Sequence, residues 1–452
     1  MTTSSARNAA VTYSLLFKAW QSAAGVVGIV VIARYFDPVS QGFYYTFASL
    51  IALQSFFELG LYLVISVSAS HEWAKLRLAS DGRIDGDRDA HSRLVSLGRF
   101  VFKWYGVAAV LFLCLASAFG LAFLGRNSIP GLDWKTPWLL HVIFSAASMW
   151  LAPFLSLLEG CDQMASTSRF RLLQSILSSL AFWIGVAAGL SLWAVPLLSL
   201  VSLLMLLCYL LLVRKAFFLP FFSKPDGAVF SWRTELLPMQ WRLALQGLFS
   251  YLSFPLYTSL SFAYLGASEA GRVGMTLQIV HAVQSVSLVL VSTKAPQYAM
   301  AVADSNRGRL DQEWGRATRR SLLLMALLNL SLLLALILAL RDEWPVAGRV
   351  LSPLAFALLS TGSLAALSIQ CMAIYLRAHK QERLTPVGVS AGLLYGLVAW
   401  ACVPVFGAVG IASSYLLITA CIAFPLTLFV FRASRREWGR PQKSGPVSPV
   451  HE

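Results

Sequence analysis

The run Ser321-Leu322-Leu323-Leu324-Met325-Ala326-Leu327-Leu328-Asn329-Leu330-Ser331-Leu332-Leu333-Leu334-Ala335-Leu336-Ile337-Leu338-Ala339-Leu340 carries no charge, and Arg320 and Arg341 bracket it. A helix of about twenty residues crosses ~30 Å of hydrocarbon, and lipid admits only backbones whose polar groups are satisfied internally. A β-barrel would alternate polar and apolar residues along strands of ~10 residues, and this run does not alternate. It reads as a membrane-spanning α-helix. The sequon Asn329-Leu330-Ser331 lies inside it, out of reach of glycosylation.

The pattern recurs along the chain. Of 452 residues, 57% are hydrophobic and 13% charged, against roughly 25% charged in soluble domains. The charges cluster between apolar runs. Twelve spans fit, near 13–33, 43–67, 101–124, 137–158, 172–190, 193–213, 241–264, 273–298, 321–340, 351–374, 386–405 and 409–431. The expected fold is an all-α membrane protein of about twelve transmembrane helices. The first run imitates a signal peptide, but Lys18 interrupts it and no convincing cleavage site appears before Ala33, so it reads as a retained span.

Topology follows from Lys and Arg placement. With the N-terminus inside, 26 of the 36 basic residues fall in inner segments and six in outer loops: Arg34, Arg126, Lys135, Arg272, Arg341 and Arg349. This asymmetry puts both termini on the cytoplasmic side. The longer polar segments, 69–99, 214–238, 299–320 and 432–452, are then all inner. The last, with Pro441, Gly445, Pro446 and Pro449, reads as a disordered basic tail.

Several function classes drop out. The net charge of +15 has no soluble basic stripe interleaved with aromatics, so it points to anionic membrane lipids and not to nucleic acid. The six cysteines lie at no metal or redox spacing. Asp81-Gly82-Arg83-Ile84-Asp85-Gly86-Asp87 lacks the terminal bidentate Glu of a calcium loop. No Walker-type phosphate loop and no nucleophile–base constellation is present, so neither an ATPase nor a hydrolase is expected.

An internal repeat divides the chain. Phe36-Asp37-Pro38-Val39-Ser40-Gln41-Gly42 joins spans one and two, and Leu265-Gly266-Ala267-Ser268-Glu269-Ala270-Gly271 joins spans seven and eight, 229 residues later. Both are short, acidic turns ending in Gly. The expected organisation is a six-helix lobe over 1–213, a cytoplasmic linker over 214–238, a second six-helix lobe over 239–431 and the tail over 432–452.

At these residues the chain resembles the polysaccharide-unit flippases, the O-antigen and exopolysaccharide transporters of the multidrug/oligosaccharidyl-lipid/polysaccharide exporter superfamily. The likeness is carried by the first hairpin, from Ala33-Arg34-Tyr35-Phe36 through Gly42 to Phe57-Glu58-Leu59-Gly60-Leu61, where an acid precedes a Gly midway along span two. The resemblance implies a bacterial plasma-membrane protein that moves a polyprenyl-diphosphate-linked oligosaccharide from the inner to the outer leaflet for polysaccharide biosynthesis, working beside a glycan polymerase and glycosyltransferases. It also implies alternating access between two lobes.

Such a cargo needs a polar, cationic path, because each unpaired hydroxyl or amide moved into hydrocarbon costs roughly 2–7 kcal/mol and a charge far more. The in-span cations Lys18, Arg242 and Lys294 are the candidate vestibule for a diphosphate. Against this, cations near span ends commonly snorkel to the interface, as expected of Lys103. Glu58, deepest of the acids, is the candidate site for coupling to a proton or sodium gradient; its structural alternatives are an ion pair with Lys18 or a neutral, hydrogen-bonded acid. Glu159 is expected at an interface, near Arg169 or Arg171. His141 and His281 either line a cavity or satisfy a packing hydrogen bond. No bound cofactor is expected. The rival readings are a cation-coupled drug or metabolite antiporter of the same superfamily, a peptidoglycan-precursor flippase, and a membrane-embedded glycan polymerase or transferase.

Overall fold

A computed structural model describes residues 3–58, 60–79, 81–127, 129–232, 251, 254–304, 306–379 and 381–439. Arg242 and most of the expected seventh span lie outside the described residues.

The first half begins with α1 (Thr3–Tyr35). Asp37 then caps α2 (Pro38–Ile51), its Oδ1 accepting from the backbone N–H groups of Val39 and Ser40 at 2.9 and 3.0 Å. Burial works to raise the Asp37 carboxyl, but the Ser40 hydroxyl and these N–H groups outweigh it and hold it below the usual carboxylate range. Sequence alone suggested one continuous second span over 43–67. The helix instead starts at Pro38 and is interrupted twice, giving α2, α3 (Gln54–Glu58) and α4 (Leu61–Trp73); the bend between α3 and α4 falls at Gly60, which takes the left-handed conformation at φ 65°.

The polar segment 69–99 carries secondary structure of its own. Strands β1 (Leu76–Leu78) and β2 (Ile84–Gly86) pair antiparallel, and α5 (Arg88–Gly125) starts well before the apolar run. Its polar first turns still bury a stripe of Leu94, Leu97 and Val101, which extends the helix beyond the span. Then follow α6 (Lys135–Leu151), α7 (Pro153–Gly160), α8 (Met164–Ala187) and α9 (Ala194–Cys208). α9 runs through a π turn, Tyr209–Val213, into the short α10 (Lys215–Phe218) and a 3-10 turn, Leu219–Phe222.

The second half comprises α11 (Pro255–Leu265), α12 (Ala267–Ser292), α13 (Ala295–Ala303), α14 (Arg307–Arg341), α15 (Pro353–Ala378), α16 (Thr385–Leu416) and α17 (Phe424–Gly439). α14 extends through the basic segment before the run at Ser321, anchored where the Trp314 indole donates to the Cys371 carbonyl at 2.9 Å. α17 carries helix to Gly439, so the start of the tail read as disordered is helical; 440–452 lie outside the described residues.

Among the described residues nine helices are long and apolar enough to span a membrane, ten with the broken α2–α4 segment. The last of them, Thr385–Trp438, holds 54 residues, some 80 Å at helical rise and more than twice the ~30 Å hydrocarbon thickness. It doubles back at Gly407 (φ 58°, ψ −142°), which brings the Tyr395 hydroxyl within 2.7 Å of Thr419 Oγ1. With this hairpin counted as two and the partly described seventh span, the protein is an all-α membrane protein of about twelve transmembrane helices in two lobes. Its outside is apolar: Leu212, Val405 and Phe429 are 74%, 72% and 72% exposed.

The repeated turns are where the lobes meet. A Cβ on Gly42 would lie 1.8 Å from the Ala267 carbonyl oxygen, and one on Gly271 would lie 3.2 Å from the Pro38 carbonyl oxygen. Pro38 and Gly42 correspond to Ala267 and Gly271 under the 229-residue offset of the repeat, so the contact is reciprocal and α2 crosses α12 about a pseudo-two-fold axis. Gln41, 1% exposed, donates from Nε2 to the carbonyls of Gly271 and Arg349 at 2.9 and 3.0 Å. Phe43 stacks edge-on against Phe262 of the other lobe at 5.1 Å. Ser49 joins α2 to α11 through Ser259 Oγ at 2.6 Å and the Pro255 carbonyl.

Away from this turn end, each lobe closes on itself. In the first, Arg93 pairs with Glu72 at 2.8 Å and Arg171 with Glu159 at 3.0 Å, the interfacial pairing expected of Glu159. In the second, Asp311 receives the Tyr375 hydroxyl at 2.7 Å and pairs with Arg435, tying α14, α15 and α17 together.

Candidate functional site

A cavity of about 740 Å³ runs through the second lobe between α12, α15 and α16. Its deep wall presents His281, Gln284, Gln370, Tyr395 and Thr419. At the end away from the repeated turns, its mouth is edged by Arg377, Glu382 and Arg383. A second cavity of about 430 Å³ crosses the lobe junction, from Tyr45 and Ser49 of α2 to Thr258, Gln278 and His281. Phe254 and His281 line both, so together they form a path from the mouth to the junction.

Among the described residues, the deep wall of this path offers hydrogen-bonding groups and no carboxylate, lysine or arginine. The Gln284 side-chain oxygen is buried with no hydrogen-bond partner among the described residues, and so is the Tyr45 hydroxyl. An unpaired amide or hydroxyl in a buried site costs roughly 1–3 kcal/mol, so a polar occupant or water is favoured there. Glu382, the carboxylate in the described lining, is tied to Arg377 at 2.8 Å. Arg383 pairs with Glu437 and leans over Trp438, its guanidinium carbon 5.6 Å from a ring centroid.

The two in-span histidines divide. His141 is buried, with Nδ1 2.6 Å from Ser199 Oγ, a packing contact between α6 and α9. His281 faces the cavities, its ring 6.0 Å from Phe254.

The sequence-derived site residues do not converge on one wall. Lys18 is exposed on α1, and Lys294 stands half-buried at the N-terminus of α13; the Glu313 carboxylate is held low first by its hydrogen bond from Arg309 and to a lesser degree by the Lys294 charge. Neither lines the cavities described here, and Arg242 lies outside the described residues. Glu58 makes no ion pair with Lys18. Its Oε1 accepts from Gln54 Nε2 at 2.6 Å and the Tyr62 hydroxyl at 3.1 Å, while Tyr105 donates to its carbonyl at 3.3 Å. It ends α3 beside the Gly60 break, where a span interrupted in mid-membrane exposes backbone polar groups. Sequence reasoning passed over Gln284 and Gln370. The signal was there: an amide in a span is costly, and His281, Gln284, Leu288 and Ser292 recur at helical spacing on one face.

No protein-family model and no curated protein sequence matches the chain. Solved structures do. A multidrug resistance MATE family transporter of the MOP superfamily in an inward-facing conformation aligns with TM-score 0.64 at 10% identity, covering 95% of this chain and 98% of that one. The lipid II flippase MurJ, inward closed, aligns with TM-score 0.62 at 14% identity, covering 93% and 87%. An outward-facing MATE family transporter aligns with TM-score 0.50 at 12% identity, covering 95% and 97%. The protein has the two-lobed fold of MOP-superfamily transporters and flippases. At these identities the likeness is one of fold.

Proposed function

We propose that the protein is a flippase that carries a polyprenyl-diphosphate-linked oligosaccharide from the inner to the outer leaflet of a bacterial plasma membrane by alternating access. The observation that carries this reading is the cavity wall. Its deep groups, His281, Gln284, Gln370, Tyr395 and Thr419, are hydrogen-bonding and include no carboxylate, lysine or arginine, and the lining acid Glu382 is already paired. Such a wall suits the hydroxyls of a glycan. A cationic drug would be better served by a deep unpaired carboxylate, which the described lining lacks. The kinship in fold with a lipid II flippase supports a lipid-linked cargo. On the proposed cytoplasmic placement of both termini, lobes joined at the repeated turns and a mouth at the opposite end correspond to an inward-facing state, in keeping with the higher TM-score to an inward-facing than to an outward-facing MATE structure.

In this reading Lys18, Arg242 and Lys294 remain the proposed cationic entrance for the diphosphate, with Arg377 and Arg383 added at the mouth. Glu58 is the proposed proton- or sodium-coupling group. The domain limits proposed from the sequence, lobes over 1–213 and 239–431, place the linker between the two halves of the pseudo-two-fold.

The test is reconstitution in proteoliposomes with a labelled polyprenyl-diphosphate oligosaccharide, and in parallel with a fluorescent cationic drug. Wild type should translocate the lipid-linked glycan. Gln284→Ala and Gln370→Ala should each slow it by up to about tenfold, the worth of one hydrogen bond, with unchanged protein levels. Drug exchange without glycan translocation would overturn the reading in favour of an antiporter.

A further inference from the structure

A third cavity, of about 350 Å³, shares no residue with the transport path. It lies wholly in the first lobe, between α5, the α6–α7 junction, the π turn after α9 and the 3-10 turn after α10. Phe102, Phe154, Leu211 and Phe222 wall it, and Arg99 and Lys103 stand at its edge. The two cations are four residues apart, neighbours on one face of α5. No carboxylate lines this cavity or pairs with either cation among the described residues. The Arg99 guanidinium donates to the Ser223 carbonyl, which fixes it at the rim.

Three features make this a built groove and not a packing defect. The π turn Tyr209–Val213 opens the end of α9, a distortion found disproportionately at functional positions. Phe221 is seated directly over Gly98, where a Cβ would meet its ring at 2.1 Å, so the 3-10 turn can close over α5 only because residue 98 has no side chain. The walls also present large apolar groups to the surroundings, with Phe222 79% and Leu211 56% exposed. The segment 214–222 sets two cations, Arg214 and Lys215, just before the aromatic pairs Phe217-Phe218 and Phe221-Phe222, the composition of chain lying in a membrane interface.

We propose that this groove is a binding site for an anionic phospholipid of the leaflet at that end, with its phosphate at Arg99 and Lys103 and one acyl chain along Phe102, Phe154, Leu211 and Phe222. Charge complementarity selects the headgroup: two unneutralised cations at the rim favour a net-negative lipid over a zwitterionic one. An apolar, membrane-facing groove selects an acyl chain, each buried methylene adding favourable transfer energy. The occupied groove would brace α5 against the α9–α10 corner. This site stands on the membrane fold alone and holds whatever the transported cargo is.

Native mass spectrometry of the full-length protein tests it, with phosphatidylglycerol and phosphatidylcholine as probes. Phosphatidylglycerol should be retained preferentially, and Arg99→Gln/Lys103→Gln should reduce that retention on the order of tenfold, from two headgroup contacts of ordinary strength. Equal retention of the two lipids, or undiminished retention in the double variant, would overturn the proposal. So would displacement of phosphatidylglycerol by an equimolar polyprenyl diphosphate, which would make the groove a waiting site for cargo. Should the double variant not fold, cryo-electron microscopy of wild type in nanodiscs of brominated phosphatidylglycerol decides: bromine density in the groove supports the site, and an empty groove refutes it.

Discussion

Glu58 combines three properties in one residue: a carboxylate within a span, a helix break at Gly60 beside it, and hydrogen bonds from Gln54 and Tyr62. No cation neutralises it among the described residues. An acid so held can exchange a proton or a sodium ion for its hydrogen-bond partners at modest cost, whereas a salt-bridged acid would stay ionised. Glu58→Gln preserves the shape and the contact with Gln54 or Tyr62 but removes the charge. Transport by this variant in proteoliposomes should lose its dependence on pH or on sodium while keeping a basal downhill rate. A dependence identical to wild type would remove Glu58 from coupling. The histidines teach a related lesson: both lie in apolar runs, and only their neighbours, Ser199 for one and open cavity for the other, tell them apart.

At the scale of elements, the crossing of α2 and α12 is a backbone-close contact between the lobes. Gly42 is there because the Ala267 backbone occupies the space a side chain would need. Gly42→Ala forces the two helices apart, and a clash with backbone cannot be relieved by a rotamer change. A loss of about 1–3 kcal/mol is expected, as for other overpacked sites, seen as a lower melting temperature in detergent. Gly25, whose added Cβ would meet nothing within 4 Å, is the control: Gly25→Ala should leave melting unchanged. Equal melting of wild type and Gly42→Ala would mean that the helices are not this close.

For the whole molecule, the lobes hold together at the repeated turns and each is braced separately at the other end, by Arg93–Glu72 and Arg171–Glu159 in one and by Asp311–Arg435 in the other. Rigid lobes with one shared edge can rock. Ser49 Oγ and Ser259 Oγ, 2.6 Å apart across the junction, offer a lock. In a background with the six native cysteines replaced, Ser49→Cys/Ser259→Cys under oxidation should stop transport, and a reductant should restore it. Full transport by the oxidised, demonstrably cross-linked protein would show that this edge need not open.

The sequence by itself determined the membrane class, the number of spans and the repeat, because hydropathy and turn composition are local properties that survive without knowledge of neighbours. It also picked out Glu58 beside its Gly, since an acid in an apolar run is visible wherever it packs. It did not reveal that α5 and α14 run on as helix past their spans, because their polar turns are ordered by partners such as Cys371, 57 residues from Trp314. Nor did it separate His281 from His141 or single out Gln284, whose surroundings are built by helices distant in sequence. The tertiary structure decided that the repeated turns pack on each other, that Lys18 and Lys294 stand apart from the described cavity walls, and that two cations and four apolar side chains of the first lobe frame a groove. These outcomes depend on which helix faces meet, and a chain reports its own periodicity but not the identity of the surface that will lie against it.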